Sequence, residues 1–170
     1  MGNLNVLINE ARIEKRLDEM AKEIDKDYEG KDLVLVGILK GSAMFMMELA
    51  KRLKSNVEFE FIEASSYDGT ESTGIIKVHN DITGTIEGKD VLVIEDLIDT
   101  GRTLEFIKKH LLMKKPSSLK IATLLSKPSR RIFELDVDYI GFQIGDDFVL
   151  GYGMDYNQKY RNLPYIGRIE

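Results

Sequence analysis

Apolar residues recur at helical spacing early in the chain, and short, continuous apolar runs follow. The spacing predicts a helix with Asn9 as a possible cap and with one apolar face formed by Ile13, Leu17, Met20, Ala21 and Ile24. The run LVLVGIL at 33–39 is typical of a strand that is covered on both faces. A glycine-containing turn at 40–42 and an amphipathic stretch to about Leu53 then predict a second helix.

Strand-like and helix-like segments continue to alternate through the middle of the chain. Strands are predicted at 57–64, 75–79, 91–94, 119–125, 139–144 and 148–152, and a helix at 103 to about 114. Residues 65–74 contain no aliphatic side chain, so we expect a mobile loop there. The alternation predicts an α/β fold with a mostly parallel, twisted sheet flanked by helices. In such sheets, ligands bind beyond the carboxyl ends of the strands.

The composition fits one ordinary domain that spans residues 1–170. The chain is 43% hydrophobic and 31% charged with a formal net charge of −5, which excludes a disordered chain and argues against non-specific nucleic-acid binding. It has no Cys and only two His, which excludes disulfides, thiolate catalysis and histidine-rich metal sites. We find no signal-peptide pattern and no apolar run of membrane-spanning length, so we expect a cytoplasmic protein with no membrane partner.

The segment VLVIEDLIDTGRTL at 91–104 carries the clearest candidate chemistry. Glu95, Asp96 and Asp99 follow a buried strand, and because unpaired buried charges are costly, these carboxylates should face water, a metal or a polar ligand. The residues TGRT at 100–103 open a helix, where a glycine turn and unpaired N–H groups favour phosphate binding. The simpler alternative is an ordinary helix start with Asp99 or Thr100 as its N-cap.

This run resembles the 5-phosphoribosyl-1-diphosphate (PRPP) signature of the type I phosphoribosyltransferases, and EDLIDTGRTL is similar to that of their purine-salvage branch. The similarity extends over almost the whole chain. It implies a single domain with a core at about 30–145, a small hood formed by the chain-terminal segments, and a mobile lid at about 65–76. It also implies Mg²⁺-dependent transfer of 5-phosphoribosyl from PRPP to N9 of hypoxanthine or guanine, which gives IMP or GMP and pyrophosphate.

The resemblance assigns a role to each residue that matches the family pattern. Asp99 is implied as the catalytic general base, and the ribose and 5-phosphate of PRPP are implied to contact Glu95, Asp96, Thr100, Gly101, Arg102 and Thr103. The resemblance implies that the pyrophosphate contacts Lys40, Gly41, Ser66, Tyr67 and Arg161. It also implies a cis peptide bond between Leu39 and Lys40. The purine is implied to contact Lys127, Phe148, Val149 and Asp155. Mg²⁺ is implied to bind Glu95, Asp96 and Asp155.

Several of these residues have simpler interpretations when each is taken alone. An ordinary helix start capped by Ser42 would explain the turn at 40–42. Lys127 and Arg161 would then be surface cations, and Phe148 would be a core residue.

The resemblance also leaves alternative functions open. These are a xanthine-preferring or pyrimidine phosphoribosyltransferase, a PRPP-sensing transcriptional regulator on the same fold, and a Mg²⁺ phosphohydrolase. The net charge of −5 and the complete set of matching residues favour the purine-salvage enzyme. The family further implies a homodimer or homotetramer, and the acidic net charge predicts no nucleic-acid partner.

Overall fold

The computed structural model describes residues 3–66 and 74–170. Within these ranges the chain alternates between strands and helices. In chain order the elements are β1 (Leu4–Ile8), α1 (Glu10–Asp27), β2 (Leu33–Leu39), α2 (Ala43–Ala50), β3 (Val57–Ser66), β4 (Ile76–Asn80), β5 (Asp90–Ile98), α3 (Arg102–Leu112), β6 (Ser118–Ser126), a 3-10 turn (Pro128–Arg130), β7 (Tyr139–Gln143), β8 (Val149–Leu150) and β9 (Ile166–Ile169). None of these helices is long and apolar enough to cross a membrane.

Six strands form one sheet in the order β4-β3-β2-β5-β6-β7. Neighbouring strands run parallel except for β4, which pairs antiparallel with β3. Glu95 of β5 pairs with Thr123 of β6. The carboxyl ends of the central strands therefore meet at one edge of the sheet, which brings together the segments that follow Leu39, Ile98 and Ser126. The predicted α/β fold with a mostly parallel sheet is confirmed.

Helices cover both faces of this sheet, which explains why β2 and β5 are apolar at consecutive positions. On one face, α1 and α2 pack in a single buried cluster with Leu35 and Leu92. On the other face, α3 packs through Leu104 against a cluster that contains Val36 and Val93. Fully burying one such side chain contributes about 1.5–3 kcal/mol, so the two layers hold the strand ends firmly.

The terminal segments form a second, smaller sheet in the order β1-β9-β8. Both β1 and β8 pair antiparallel with β9. This sheet corresponds to the hood that the resemblance implied. The segment between β8 and β9 contains Asp155 and Arg161 and reaches the carboxyl edge of the large sheet.

Several boundaries differ from those predicted, and three of the differences have a clear physical cause. β5 runs to Ile98 rather than ending at 94, because its backbone pairs with β6 as far as Ser126. α2 ends at Ala50 instead of about Leu53, where the backbone tightens into a turn with a hydrogen bond between these two residues. β3 includes residues 65 and 66 of the predicted loop because β4 pairs with them.

Candidate active site

A cavity of about 320 Å³ lies at the carboxyl edge of the large sheet, between β2, β5 and the start of α3. The predicted site residues in its lining are Gly41, Glu95, Asp96, Asp99, Thr100, Gly101, Arg102, Thr103, Asp155 and Arg161. Those outside its lining are Lys40, Ser66, Lys127, Phe148 and Val149, and Tyr67 lies outside the described residues. A larger cavity of about 850 Å³, between the end of α1 and residues 52–56, is lined by other residues.

The turn between β5 and α3 has the backbone geometry of an anion site. Gly101 has φ +86°, and a Cβ there would lie 2.9 Å from Leu135 Cδ1 and 3.1 Å from Arg131 Cδ, so glycine fits best at this position. Gly101 itself is the N-cap of α3, because its carbonyl accepts the N–H of Glu105 at 2.9 Å. The alternative with Asp99 or Thr100 as the cap is therefore wrong. The first N–H groups of this 11-residue helix lie at its positive end, where phosphate binds favourably.

The adjacent carboxylates Glu95 and Asp96 lie near the end of β5. Glu95 lines the cavity but is only 8% exposed, which is less than we expected for a group that faces water. Its Oε1 accepts a hydrogen bond from the Asp96 N–H at 3.0 Å, and Asp96 Oδ1 accepts one from the Leu97 N–H at 2.8 Å. Burial, followed by the negative charge of Asp96, raises the pKa of Glu95 well above its ordinary value. A cation or hydroxyl donors in the cavity would favour its charged form.

Two glycines bring the surrounding loops into contact with this acidic pair. A Cβ at Gly41 would overlap the Asp96 carboxylate, and a Cβ at Gly153, where φ is +98°, would overlap the Gly41 carbonyl oxygen. Arg161 donates from Nη1 to the Gly153 carbonyl at 2.8 Å, and its Nη2 lies 3.4 Å from Asp155 Oδ1. The loop after β2, the acidic pair and the loop after β8 thus form one polar wall.

The predicted pyrophosphate residues outside the cavity lining lie at the same edge of the sheet. Lys40 directly follows β2, and Ser66 is the last residue of β3. Both side chains are exposed. The peptide bond between Leu39 and Lys40 is cis, as the resemblance implied. Sequence analysis missed Gly153, because a glycine in GYGMDY gives no sign of the loop that it touches.

The carboxylates at this edge fit a divalent cation that is shared with a ligand. Mg²⁺ prefers oxygen ligands and is usually held by one or two carboxylates together with water and substrate phosphates. Glu95, Asp96 and Asp155 line the same cavity. Within residues 3–66 and 74–170, however, no three His, Asp or Glu side chains form a group that could hold a metal ion. The three carboxylates therefore do not form a complete protein-bound metal site, and one or two of them suit a cation whose other ligands are water or a bound molecule.

Asp99 lies between the end of β5 and the phosphate turn, and its side chain is 42% exposed. Its Oδ1 accepts a hydrogen bond from Arg130 Nε at 2.6 Å. Arg130 ends the 3-10 turn that follows Lys127. Sequence analysis missed Arg130, since its one signal, a basic pair at 130–131, is equally typical of a solvent-exposed turn.

The predicted purine residues lie next to this turn and at the hood. Lys127 is 6% exposed, so its interpretation as a surface cation is wrong, and its N–H donates to the Ile98 carbonyl at 2.9 Å. Phe148 is 52% exposed, so it is not a core residue and its ring can stack on a ligand. Tyr156, which sequence analysis missed, contacts Phe148 edge-on with ring centroids 5.8 Å apart. Val149 is buried in β8.

Comparison with known proteins gives consistent matches over nearly the whole chain. The family model "Phosphoribosyl transferase domain" matches residues 5–157. The chain is 49% identical over 166 residues to a hypoxanthine-guanine phosphoribosyltransferase of Staphylococcus aureus strain Mu50, which covers 97% of this chain and 93% of that protein. A crystal structure of a hypoxanthine-guanine phosphoribosyltransferase from Bacillus anthracis matches with a TM-score of 0.95 and 45% identity over 100% of both chains. A hypoxanthine phosphoribosyltransferase structure from Staphylococcus aureus matches with a TM-score of 0.93 and 49% identity, over 98% of this chain and 91% of that chain.

Proposed function

The chain belongs to the phosphoribosyl transferase family, and on this basis we propose that it is a purine-salvage enzyme that transfers 5-phosphoribosyl from PRPP to N9 of hypoxanthine or guanine. The products are IMP or GMP and pyrophosphate. The observation that carries the proposal is the cavity at the end of β5, where an acidic pair, Asp99 and a helix N-terminus line one space. PRPP carries matching groups on a single sugar. Its ribose hydroxyls suit the acidic pair, its 5-phosphate suits the helix N-terminus, and its C1 is the reacting carbon.

PRPP binding follows from the order of groups along β5 and α3. Glu95 and Asp96 would accept hydrogen bonds from the ribose hydroxyls and fix the sugar for in-line attack. The 5-phosphate would lie at the start of α3, against the backbone N–H groups of 101–103 and the hydroxyls of Thr100 and Thr103. Arg102 adds a positive charge at the same turn.

The main chemical difficulty is charge, because the sugar becomes cationic while a diphosphate leaves. Lys40 and Arg161 would contact the departing diphosphate, with Gly41 and Ser66 beside it. One or two of the carboxylates of Glu95, Asp96 and Asp155 would hold Mg²⁺ together with PRPP. When bound, Mg²⁺ neutralises negative charge on the diphosphate. The Gly153 carbonyl, which accepts a hydrogen bond from Arg161 at 2.8 Å, keeps that guanidinium at the cavity.

The base would lie between the phosphate turn and the hood. Phe148 offers an exposed ring for stacking, and the buried Lys127 would donate to O6, which distinguishes 6-oxopurines from adenine. The Val149 main chain would contact the edge of the base. Asp99 would accept the N7 proton as N9 forms its bond to C1 and the bond from C1 to the diphosphate oxygen breaks.

Assembly as a homodimer or homotetramer, which the resemblance to the family implies, and the cytoplasmic location expected from the sequence form part of the same proposal. Light scattering of the purified protein checks the assembly. A mass close to the 19.4 kDa of one chain would contradict it.

The activity is tested by pyrophosphate release from PRPP and Mg²⁺ with hypoxanthine, guanine, xanthine, adenine or uracil in separate reactions. We expect fast release with hypoxanthine or guanine, slow release with adenine and uracil, and loss of activity when EDTA removes the metal. Release that is fastest with xanthine or uracil would reassign the base. No release with any base, while calorimetry still detects PRPP binding, would favour a PRPP-sensing regulator instead.

A further inference from the structure

An ion pair joins the proposed catalytic carboxylate to the segment that contacts the base. Arg130 Nε donates to Asp99 Oδ1 at 2.6 Å, and both side chains are about half exposed, at 49% and 42%. Exposed ion pairs contribute little to folding stability. We therefore expect this ion pair to affect the orientation of Asp99 more than the stability of the fold.

The backbone that presents Arg130 is held at several points. The Lys127 N–H donates to the Ile98 carbonyl at 2.9 Å, directly before Asp99. The Ser129 hydroxyl donates to Asp146 Oδ1 at 2.8 Å, in the loop that precedes Phe148. After the turn, the N–H groups of residues 132 and 133 both donate to the Thr100 carbonyl, at 2.9 and 3.2 Å. The 3-10 turn thus links the phosphate turn to the base-contacting loop and fixes the origin of the arginine side chain.

The hydrogen bond occupies one of the two carboxylate oxygens of Asp99. Within residues 3–66 and 74–170, Oδ2 accepts no hydrogen bond that the structure shows. A carboxylate has acceptor sites on both oxygens, so the bond to Oδ1 leaves Oδ2 able to accept a ligand N–H. The carboxylate in turn raises the pKa of the Arg130 guanidinium, which therefore stays charged at any working pH.

We propose that Arg130 is a positioning residue for Asp99: it holds Oδ1 so that Oδ2 is available to the N7–H of the purine. The inference rests on the proposed function. In the reaction the N7 proton moves to Asp99 as N9 bonds to C1 and the diphosphate leaves with its bonding electron pair. Arg130 contacts neither the base nor the sugar in this scheme and acts through Asp99.

The test compares Arg130→Gln with Arg130→Lys and with Lys109→Gln. The last variant removes a cation from another exposed ion pair, Lys109 with Glu105 on α3, 2.7 Å apart. We expect Arg130→Gln to lower kcat roughly 10-fold, because small misplacements of a reacting group can reduce rates by one to two orders of magnitude. Its KM for PRPP should change less than about 2-fold. Arg130→Lys should recover part of the rate, and Lys109→Gln should match the wild type.

A readout specific to N7 separates positioning from a general structural effect. Inhibition constants against guanine turnover are measured for hypoxanthine and for 7-deazahypoxanthine, in which a C–H replaces the N7 group. We expect Arg130→Gln to reduce the preference for hypoxanthine roughly 5-fold, by weakening hydrogen bonding at N7 alone. A merely structural loss would weaken both inhibitors equally.

A double variant shows whether Arg130 acts through Asp99. If it does, adding Arg130→Gln to Asp99→Asn should lower kcat less than about 2-fold further. Any one of three results would overturn the inference: additive losses in kcat, an unchanged preference for hypoxanthine over 7-deazahypoxanthine, or equal rates for Arg130→Gln and Lys109→Gln. The proposed function would still stand in each case, provided that the wild-type chain is active. A wild-type chain without base-dependent pyrophosphate release would instead overturn the proposed function, and the inference with it.

Discussion

Replacing Glu95 with Gln should stabilise the ligand-free protein and weaken its binding of PRPP. Glu95 is 8% exposed, and both burial and the Asp96 charge oppose its ionisation. Glutamine has nearly the same shape, and its Oε1 can still accept the Asp96 N–H, which lies 3.0 Å from Glu95 Oε1. Glu95→Gln therefore removes a buried charge and keeps the local hydrogen bond.

The expected stabilisation depends on pH with a definite sign. Because folding raises the pKa of Glu95 above its ordinary value of 4.5, its contribution to stability is fully present below that pH. It is lost as the pH rises through the folded-state pKa. The difference between Glu95→Gln and wild type should therefore be near zero in acid and grow toward neutral pH. A gain of about 1 kcal/mol is typical of one stabilising substitution and corresponds to about 2–4 °C in Tm for a domain of this size.

Loss of the same charge should weaken PRPP binding. Hydrogen bonds to charged groups contribute about 1.5–3 kcal/mol, so Kd should rise roughly 10- to 100-fold. Thermal melting from pH 4.5 to 9 measures the stability, and calorimetry with PRPP and Mg²⁺ measures the affinity. Glu58→Gln is the control, because Glu58 is exposed on β3 and pairs with Lys89 at 3.0 Å. A lower Tm for Glu95→Gln at neutral pH, or a difference that does not vary with pH, would refute the reasoning.

Three further changes have expected outcomes. Asp99→Asn should lower kcat roughly 10²–10⁴-fold and largely preserve the calorimetric Kd for PRPP; near-normal turnover would remove its catalytic role. Lys127→Met should abolish the preference for hypoxanthine over adenine, and a retained kcat/KM ratio would contradict the contact with O6. Gly101→Ala should lower the free energy of unfolding by about 1–3 kcal/mol. Gly88→Ala is the control and should have a smaller effect: φ at Gly88 is also positive, at +73°, but nothing lies within 4 Å of a Cβ there. Denaturant unfolding measures both variants, and equal losses of unfolding free energy would assign the effect at Gly101 to φ alone.

The elements with a regular pattern of apolar residues were predictable from the sequence. The apolar face of α1 and its cap were predicted residue by residue, and the Asn9 side chain accepts the Arg12 N–H at 2.9 Å. The run at 33–39 coincides with β2, in which residues 33–36 and 38 each belong to one of the two buried clusters that include helical residues. Local spacing was sufficient in both cases, since the signal and the structure lie within one segment.

Features that depend on a distant partner could not be predicted in this way. The polar residues after Ile94 predict an end of β5 at 94, yet pairing with β6 continues the strand to Ile98. β1 pairs with β9 from the opposite end of the chain, and only the family resemblance implied that the two termini meet. The role of Gly153 could not be predicted for the same reason. Glycine is required there because a Cβ would overlap the Gly41 carbonyl oxygen, and Gly41 is more than a hundred positions away in sequence.

The position of the acidic pair within β5 links the electrostatics of the site to its rigidity. Hydrogen bonds to β6 fix the backbone of Glu95, and those of Leu97 extend the pairing beyond it. The carboxylates therefore cannot move apart by bending a loop, and their mutual repulsion is retained in the empty site. A rigid pair would keep the geometry that the proposed contacts with ribose hydroxyls require, whereas a flexible pair would separate until a ligand arrived. The same repulsion destabilises the ligand-free fold and favours any ligand that brings positive charge or hydroxyl donors. Stability and affinity should consequently change in opposite directions whenever the charge on Glu95 is removed.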